Sequence, residues 1–250
     1  AAFKNLHIAA SGNYNLFTMT NATYDPTLHV EDCTVDAAYN VVYDSHNTQN
    51  FQKIYFGNSI VKMTVANKPF YSTKAKDAHT QQLIRLDNNV FYAETPLQNY
   101  LINCGDRSQA FQTTRLQVEV TNNTIYNIYQ PNIMIRAYVL AGLTVTKNVG
   151  YYTGVTAKNY LTGVYDTAGF TADKAEVTYN YLYTAPVSDT NFWSAKHTGS
   201  YTPANNQMGD GVEAPFSSMD AAKGYFPVDA SVVKTGAGAT YDTKAWFKTE

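Results

Sequence analysis

The sequence has little charge, little cysteine and no long apolar run. Charged residues make up 15% of its 250 residues, against the roughly 25% that is usual in soluble domains, and the net charge is −2. No stretch concentrates lysine or arginine, which argues against a nucleic-acid partner and against an anionic membrane surface. No run approaches the roughly 18 apolar residues of a membrane span, so a spanning segment is not expected.

Cysteine and histidine usage also excludes several classes of site. Cys33 and Cys104 are too few for a disulfide scaffold, and we expect two buried free thiols. The five histidines lack metal-ligand spacing, and neither a phosphate loop nor a GxSxG motif occurs. No cofactor is therefore predicted, although Ca²⁺ would be expected if the protein were a lyase. Because no signal peptide opens the chain, we expect a processed protein with a possible upstream domain.

Aromatic and β-branched residues are plentiful, with 21 tyrosines, and they favour an all-β protein. Short apolar alternations recur around one column of small or amide residues. In VEVTNNTIYNI, for example, Val118 and Val120 precede Asn123 by five and three positions, and Ile125 follows it by two. The full column is Leu6, Cys33, Ser59, Asn89, Asn123, Asn148 and Asn180.

The column recurs at intervals of 27, 26, 30, 34, 25 and 32 residues, and more short alternating segments lie between its members. A period of this size without a helical apolar pattern indicates about three short strands per repeat. The sequence therefore predicts a parallel β-helix of about seven coils over residues 1–184. We expect the column asparagines to adopt a left-handed conformation at a tight bend and to bond in a ladder along the stack.

The coils with NN turns resemble the right-handed β-helix domains of pectate-lyase-like proteins. Together with the opening FKNLHI and the tail YFPVDASVVKTGAGATYDTKAWF, they are similar to an uncharacterised family of Bacteroidetes surface lipoproteins. That family is encoded beside polysaccharide-utilisation genes and carries its β-helix after immunoglobulin-like modules. The resemblance implies an extracellular or outer-membrane location, surface anchoring, a polysaccharide partner and a possible outer-membrane partner.

Residues 185–250 drop the repeat and are richer in Gly, Pro and Ala. A solenoid needs a cover over its last coil, so we expect this segment to be a C-terminal cap that also folds back along one flank.

The outward position three residues after the column holds tyrosine on four successive coils. Two interpretations remain open for this column: the rings stack on sugars, or the C-terminal segment, a long loop or a neighbouring domain covers them. Arg136, which follows NIMI, is a further outward candidate for ligand binding. The tyrosines are Tyr92, Tyr126, Tyr151 and Tyr183.

Other outward residues indicate no catalytic centre. Arg85 and Glu119 share a column on adjacent coils and should form a surface ion pair. The outward acids are scattered, so neither a Ca²⁺ site nor the paired carboxylates of a hydrolase is apparent. Long insertions at 44–52, 72–82, 104–114 and 187–212 are candidates for loop-borne function.

Three functions fit these observations. The first is non-catalytic recognition of a polysaccharide at the cell surface. The second is a polysaccharide lyase or glycoside hydrolase on the same scaffold, with a lyase as the expected type of enzyme. The third is a structural or adhesive module whose tyrosine column packs on a partner.

Overall fold

The computed structural model describes most of the repeat region and much of the C-terminal segment. The described residues form 21 β-strands and contain no α-helix. The described residues are 1–10, 12–19, 26–37, 39–44, 51–73, 82–104, 116–130, 133–137, 140–152, 160–164, 174–183, 192, 201, 203–209 and 213–241.

The strands form three parallel sheets. Sheet 1 contains β1 (Ala2–Lys4), β4 (Thr27–Glu31), β7 (Lys53–Gly57), β10 (Leu83–Asp87), β13 (Gln117–Thr121), β16 (Gly142–Thr146) and β19 (Ala175–Thr178). Sheet 2 contains β2 (His7–Ala9), β5 (Thr34–Ala37), β8 (Ile60–Met63), β11 (Val90–Gln98), β14 (Thr124–Tyr129), β17 (Val149–Tyr151), β20 (Tyr181–Tyr183) and β21 (Gln207–Met208). Sheet 3 contains β3 (Phe17–Met19), β6 (Val42–Asp44), β9 (Tyr71–Thr73), β12 (Ile102–Cys104), β15 (Ile133–Ala137) and β18 (Tyr160–Val164).

Each group of three consecutive strands, from β1–β3 to β16–β18, makes one coil, and β19, β20 and β21 continue the stack. A strand pairs in parallel with the equivalent strand of the next coil, as β10 does with β13. This arrangement is a parallel β-solenoid, so the predicted all-β fold class is confirmed. The right-handed sense of the coil stays a prediction.

Alternation decides which side chains fill the interior. The positions five and three before the column and two after it point inward and are buried in the strands from β4 to β17, as Val118, Val120 and Ile125 show. Gly150 breaks this pattern because the Leu182 side chain fills its space: a Cβ at Gly150 would lie 2.6 Å from Leu182 Cδ2. Phe56, Phe70 and Phe91 stack edge to face inside the coils, with centroids 4.9 and 5.0 Å apart.

The bend between sheets 1 and 2 uses two residues with different roles. The residue before the column has a positive φ on every coil, for example +55° at Asn122, +56° at Lys147 and +57° at Tyr179. The prediction that the column residue itself is left-handed is therefore wrong. The first residue of the pair makes the bend, and the column residue directs its side chain along the stack, where it bonds to a neighbouring coil.

The column side chains form a ladder of hydrogen bonds. Asn89 donates from its backbone N–H to Asn123 Oδ1 at 2.9 Å, and Asn123 and Asn148 donate to the next asparagine at 3.0 and 2.9 Å. Each asparagine also donates from Nδ2 to a backbone carbonyl of the preceding coil, as Asn123 does to Leu86 O at 2.9 Å. These asparagines are fully buried, so their amides satisfy backbone groups that water does not reach.

The ladder extends beyond residue 184, where the sequence pattern ended. Asn180 donates from its backbone N–H to Asn206 Oδ1 at 2.8 Å, and β21 then pairs in parallel with β20. Residues 206–208 therefore continue the ladder and sheet 2 of the solenoid. Toward the N-terminus the ladder passes through Ser59 to Cys33. It does not include Leu6, which is 47% exposed.

Residues 213–241, called the strap here, lie against the outer face of sheet 2. The strap begins with two short antiparallel arms, joined by bridges between Phe216 and Val228 and between Asp220 and Tyr225. It packs apolar side chains onto the sheet in a second hydrophobic cluster that is separate from the interior of the coils. The strap therefore covers the outer face of sheet 2.

Candidate functional site

The four predicted tyrosines form one column on the outer face of sheet 2. Tyr92 pairs with Tyr126, Tyr126 with Tyr151, and Tyr151 with Tyr183 in the register of successive strands. Neighbouring rings contact each other: the Tyr126 and Tyr151 centroids lie 5.8 Å apart, and those of Tyr151 and Tyr183 lie 4.8 Å apart. The repeat pattern therefore correctly predicted that these four tyrosines lie in one column.

The strap occupies the surface that a stacked sugar would need. Phe226 lies face to face on Tyr126, with centroids 4.1 Å apart and planes inclined by 16°. Phe216 meets Tyr151 edge on at 5.5 Å. Tyr92 and Tyr151 retain only 4% and 8% of their exposure, and Tyr126 and Tyr183 are partly covered.

This packing leaves the four tyrosines little open surface on which a sugar could stack. The alternative interpretation, that the C-terminal segment covers the tyrosines, agrees with the structure. Burial raises the pKa of Tyr92 to about 12 and also raises the pKa of Tyr151. Both phenols are neutral at ordinary pH, and their rings pack against the strap.

The third sheet presents a different surface around Arg136. Arg136 donates from Nε to Asn103 Oδ1 at 2.9 Å and from Nη1 to the Tyr100 hydroxyl at 3.5 Å. Its guanidinium carbon lies 5.0 Å from the Tyr100 ring centroid, within the range of a cation–π contact. All three side chains are partly exposed. We call Tyr100, Asn103 and Arg136 the Arg136 patch.

A column of side chains continues from the patch along sheet 3. Asn103 is the register partner of both Arg136 and Ser72, and Ser72 pairs with Tyr43. Arg136 is the only charged side chain among these four described residues. The column therefore combines hydroxyl, amide and guanidinium groups with aromatic rings, which is a surface suited to binding polar, ring-shaped ligands.

The sequence analysis named Arg136 as a candidate but named neither Tyr100 nor Asn103, which contact it in the structure. The signal was available, since NYLINC and NIMIR are both third strands of a coil. Aligning them places Asn103 opposite Arg136, which is the register observed in the structure. Tyr100 lies two residues before β12 begins, and the alternation within the strand does not assign such a residue to either face.

The outer face of sheet 1 carries an ion-pair network. Arg85 Nε lies 2.5 Å from Glu119 Oε2, as the shared column predicted, and this hydrogen bond raises the pKa of Arg85. Gln117 donates to the second carboxylate oxygen of Glu119 at 2.7 Å. Asp87 accepts from the Thr121 hydroxyl at 2.5 Å and from Asn122 Nδ2 at 3.1 Å.

The acids on this face already have partners, and a tyrosine separates two of them. Glu31 Oε2 lies 3.1 Å from Lys4 Nζ. In sheet 1, Glu31 and Asp87 lie two strands apart, because both are register partners of Gly57. Gly57 lies between them, and the Tyr55 ring fills its space: a Cβ at Gly57 would be 2.5 Å from the Tyr55 hydroxyl oxygen. Burial is the main cause that raises the pKa of Tyr55, and Glu31 and Asp87 add to it. The face therefore resembles a structural network more than an acid–base pair.

Several predicted features fall outside the described residues. They are the tips of the insertions at 44–52, 72–82 and 104–114, most of the insertion at 187–212, and the side chain of Cys104. Cys33 is described, and it is a buried free thiol whose pKa burial raises.

Within the described part of the chain, no group of three or more His, Cys, Asp or Glu side chains is arranged to hold a metal ion. Nor does any helix of that part have the length and hydropathy needed to cross a membrane.

Comparisons of the chain with protein-family models, curated proteins and solved structures found no match. The fold and the geometry above are therefore the basis for the functional proposal.

Proposed function

We propose that this solenoid recognises a polysaccharide without catalysing a reaction, and that the Arg136 patch is the contact surface. One observation carries the proposal: the guanidinium of Arg136 is held over the Tyr100 ring while its Nε bonds to Asn103. These contacts orient the arginine before any ligand arrives, so less side-chain entropy is lost on binding.

The patch offers the two kinds of interaction that a sugar ring uses. The Tyr100 ring supplies an apolar surface with a polar tip, which suits the mixed character of a sugar face. The amide of Asn103 and the N–H groups of Arg136 can bond hydroxyl or carboxylate oxygens. Ser72 and Tyr43 continue the surface over two more coils, and adjacent strands lie about 4.8 Å apart. A chain-like ligand could therefore contact several coils in succession.

The cellular setting is part of the proposal. The resemblance of the repeats and the tail to Bacteroidetes surface lipoproteins supports an anchored protein on the cell surface within a polysaccharide-utilisation system. An upstream domain or an outer-membrane protein would then be a natural partner.

Screening the protein on a glycan array, followed by titration of any ligand found, tests this function. We expect Arg136→Ala and Asn103→Ala each to weaken binding by about tenfold or more, because each removes hydrogen bonds to the ligand. Arg85→Ala is the matched control, since it removes an arginine from sheet 1, and it should bind like the unaltered protein.

The outcomes separate the candidate functions. Binding without release of shortened or unsaturated sugars supports recognition, whereas product formation would identify a lyase or a hydrolase. Binding that is unaffected by both patch variants would contradict the assignment of the site. If no glycan binds, a structural or adhesive role becomes the better hypothesis.

A further inference from the structure

Residues 238–240 of the strap run along the axis of the solenoid, and each of them bonds to a different coil. Gly238 donates from its backbone N–H to Lys147 O at 2.8 Å, and Ala239 donates to Thr124 Oγ1 at 3.0 Å. Thr240 then donates from its backbone N–H to Asn88 Oδ1 at 2.7 Å. The three acceptors belong to the coils that contain β16, β13 and β10, so three consecutive residues bridge three consecutive coils.

The rest of the strap reaches coils farther along the stack in both directions. At one end Gly224 packs against Ile60 of β8 and Tyr92 of β11, where a Cβ would be 2.7 Å from atoms of both side chains. At the other end Gln207 of β21 donates from Nε2 to Val232 O at 2.7 Å. The strap therefore spans the six strands of sheet 2 from β8 to β21.

Tyr241, the last residue of the strap, bonds to two residues of its antiparallel arms. Its hydroxyl accepts a hydrogen bond from the Phe226 N–H at 2.6 Å and donates one to Gly224 O at 2.8 Å. Burial raises the pKa of this hydroxyl. The Tyr241 side chain thereby joins residues 238–240 to the antiparallel arms of the strap. Phe226 of these arms packs on Tyr92 and Tyr126.

We propose that the strap is an axial clamp, closed by Tyr241, which makes the coils from β7 to β21 open as one cooperative unit. In a solenoid each coil contacts only its neighbours, so its end coils can open separately. The strap adds contacts between coils that do not touch one another. Opening a clamped coil then requires release of the clamp, whereas the coils of β1–β6 precede the clamp and can open independently.

Hydrogen exchange measured by mass spectrometry tests the clamp. Tyr241→Phe keeps the ring but leaves the buried Phe226 N–H and Gly224 carbonyl without this partner, which should accelerate opening by roughly tenfold. We expect exchange to accelerate by a similar factor in the strap and in β10, β13, β16 and β20. Exchange in β1, β2, β4 and β5 should not change. Tyr14→Phe is the control, because Tyr14 is 75% exposed.

Three outcomes would overturn the clamp. Faster exchange confined to residues 213–241 would mean that the strap covers the sheet without coupling the coils. Equal acceleration in β1–β5 would indicate general destabilisation. No acceleration anywhere would exclude Tyr241 as the closing residue. Ala239→Pro is a second variant that removes the donor to Thr124 and keeps Tyr241, and it should give the same pattern of exchange.

Discussion

Asn122 and Asn123 are adjacent in the chain and perform different tasks in the same bend. Asn122 has a φ of +55° and turns the backbone, while its Nδ2 donates to Asp87 on the surface of the preceding coil. Asn123 is fully buried and bonds to Asn148 above it and to Asn89 below it. An Asn-Asn pair thus marks a bend in a stacked coil, where a hairpin would instead favour Asn-Gly.

Replacing a ladder asparagine should strongly destabilise the fold. Asn123→Ala leaves the buried backbone N–H of Asn89 and the carbonyl of Leu86 without these partners, and we expect a loss of roughly 2–4 kcal/mol in the free energy of unfolding. Urea denaturation followed by circular dichroism measures it. Asn13→Ala removes an exposed asparagine and should change the value by less than about 0.5 kcal/mol. Equal effects of the two variants would contradict the importance of the ladder.

The left-handed position offers a stabilising substitution. Tyr179 adopts a φ of +57° with a side chain that is 44% exposed, although asparagine tolerates this conformation better. Tyr179→Asn should therefore raise the free energy of unfolding by about 0.5–1 kcal/mol, measured by thermal unfolding. Glu176→Asn places asparagine at an exposed position of β19 and should not raise the free energy of unfolding. A lower free energy of unfolding for Tyr179→Asn would show that contacts of the Tyr179 ring stabilise the fold by more than the strain of its positive φ costs.

Alanine substitutions at two glycines of the strap should distinguish the cost of backbone strain from the cost of a steric clash. Gly238 has a φ of +103°, and a Cβ there would lie 2.4 Å from Val228 Cγ2. Gly236 has a φ of +65° and nothing within 4 Å of its Cβ position. Gly236→Ala should be destabilising by about 1 kcal/mol through strain alone, and Gly238→Ala by roughly 3 kcal/mol or more. Urea denaturation checks both, and equal losses would mean that the strap is not packed tightly at Gly238.

Alkaline pH should destabilise the covered flank. Tyr92 has a pKa of about 12, above the ordinary value of 10.0, because burial disfavours its charged form. Its contribution to stability is therefore fully present below pH 10 and is lost as the pH rises from 10 to 12. The loss is on the order of 2–3 kcal/mol.

Unfolding measured between pH 8 and pH 12 checks this contribution. Tyr92→Phe should flatten the decline without removing it, since burial also raises the pKa of Tyr151 and Tyr241. Tyr14→Phe should leave the profile unchanged. A profile for Tyr92→Phe that matches the unaltered protein would contradict the prediction.

The Arg85–Glu119 pair should contribute little to stability despite its short distance. The two side chains retain 44% and 18% of their exposure, so water and salt screen the attraction. A double-mutant cycle with Arg85→Ala and Glu119→Ala should give a coupling energy of about 0–1 kcal/mol, which decreases in high salt. A coupling above about 2 kcal/mol would show that the network on sheet 1 is more than a surface feature.

Local patterns in the sequence were enough to predict the repeat, because each coil places its apolar residues at the same offsets from the bend. The last ladder residue was missed for an equally local reason. Pro203 and Tyr201 stand three and five positions before Asn206, where the other coils have strand residues, and Tyr201 instead bonds to Val177 N at 2.8 Å. The same column analysis named Arg136 as a candidate but could not assign Tyr100, which precedes β12, to a face.

The sequence by itself determined the class of fold, the buried columns, the ladder from Asn89 to Asn180 and the alignment of the four tyrosines. Period and alternation encode these features, and both are properties of neighbouring residues. Only the tertiary structure decided that the strap covers the tyrosines, that the Tyr241 hydroxyl bonds to Phe226 and Gly224, and that Arg136 lies over Tyr100. Such contacts join residues far apart in the chain, and no repeat offset relates Thr240 to Asn88.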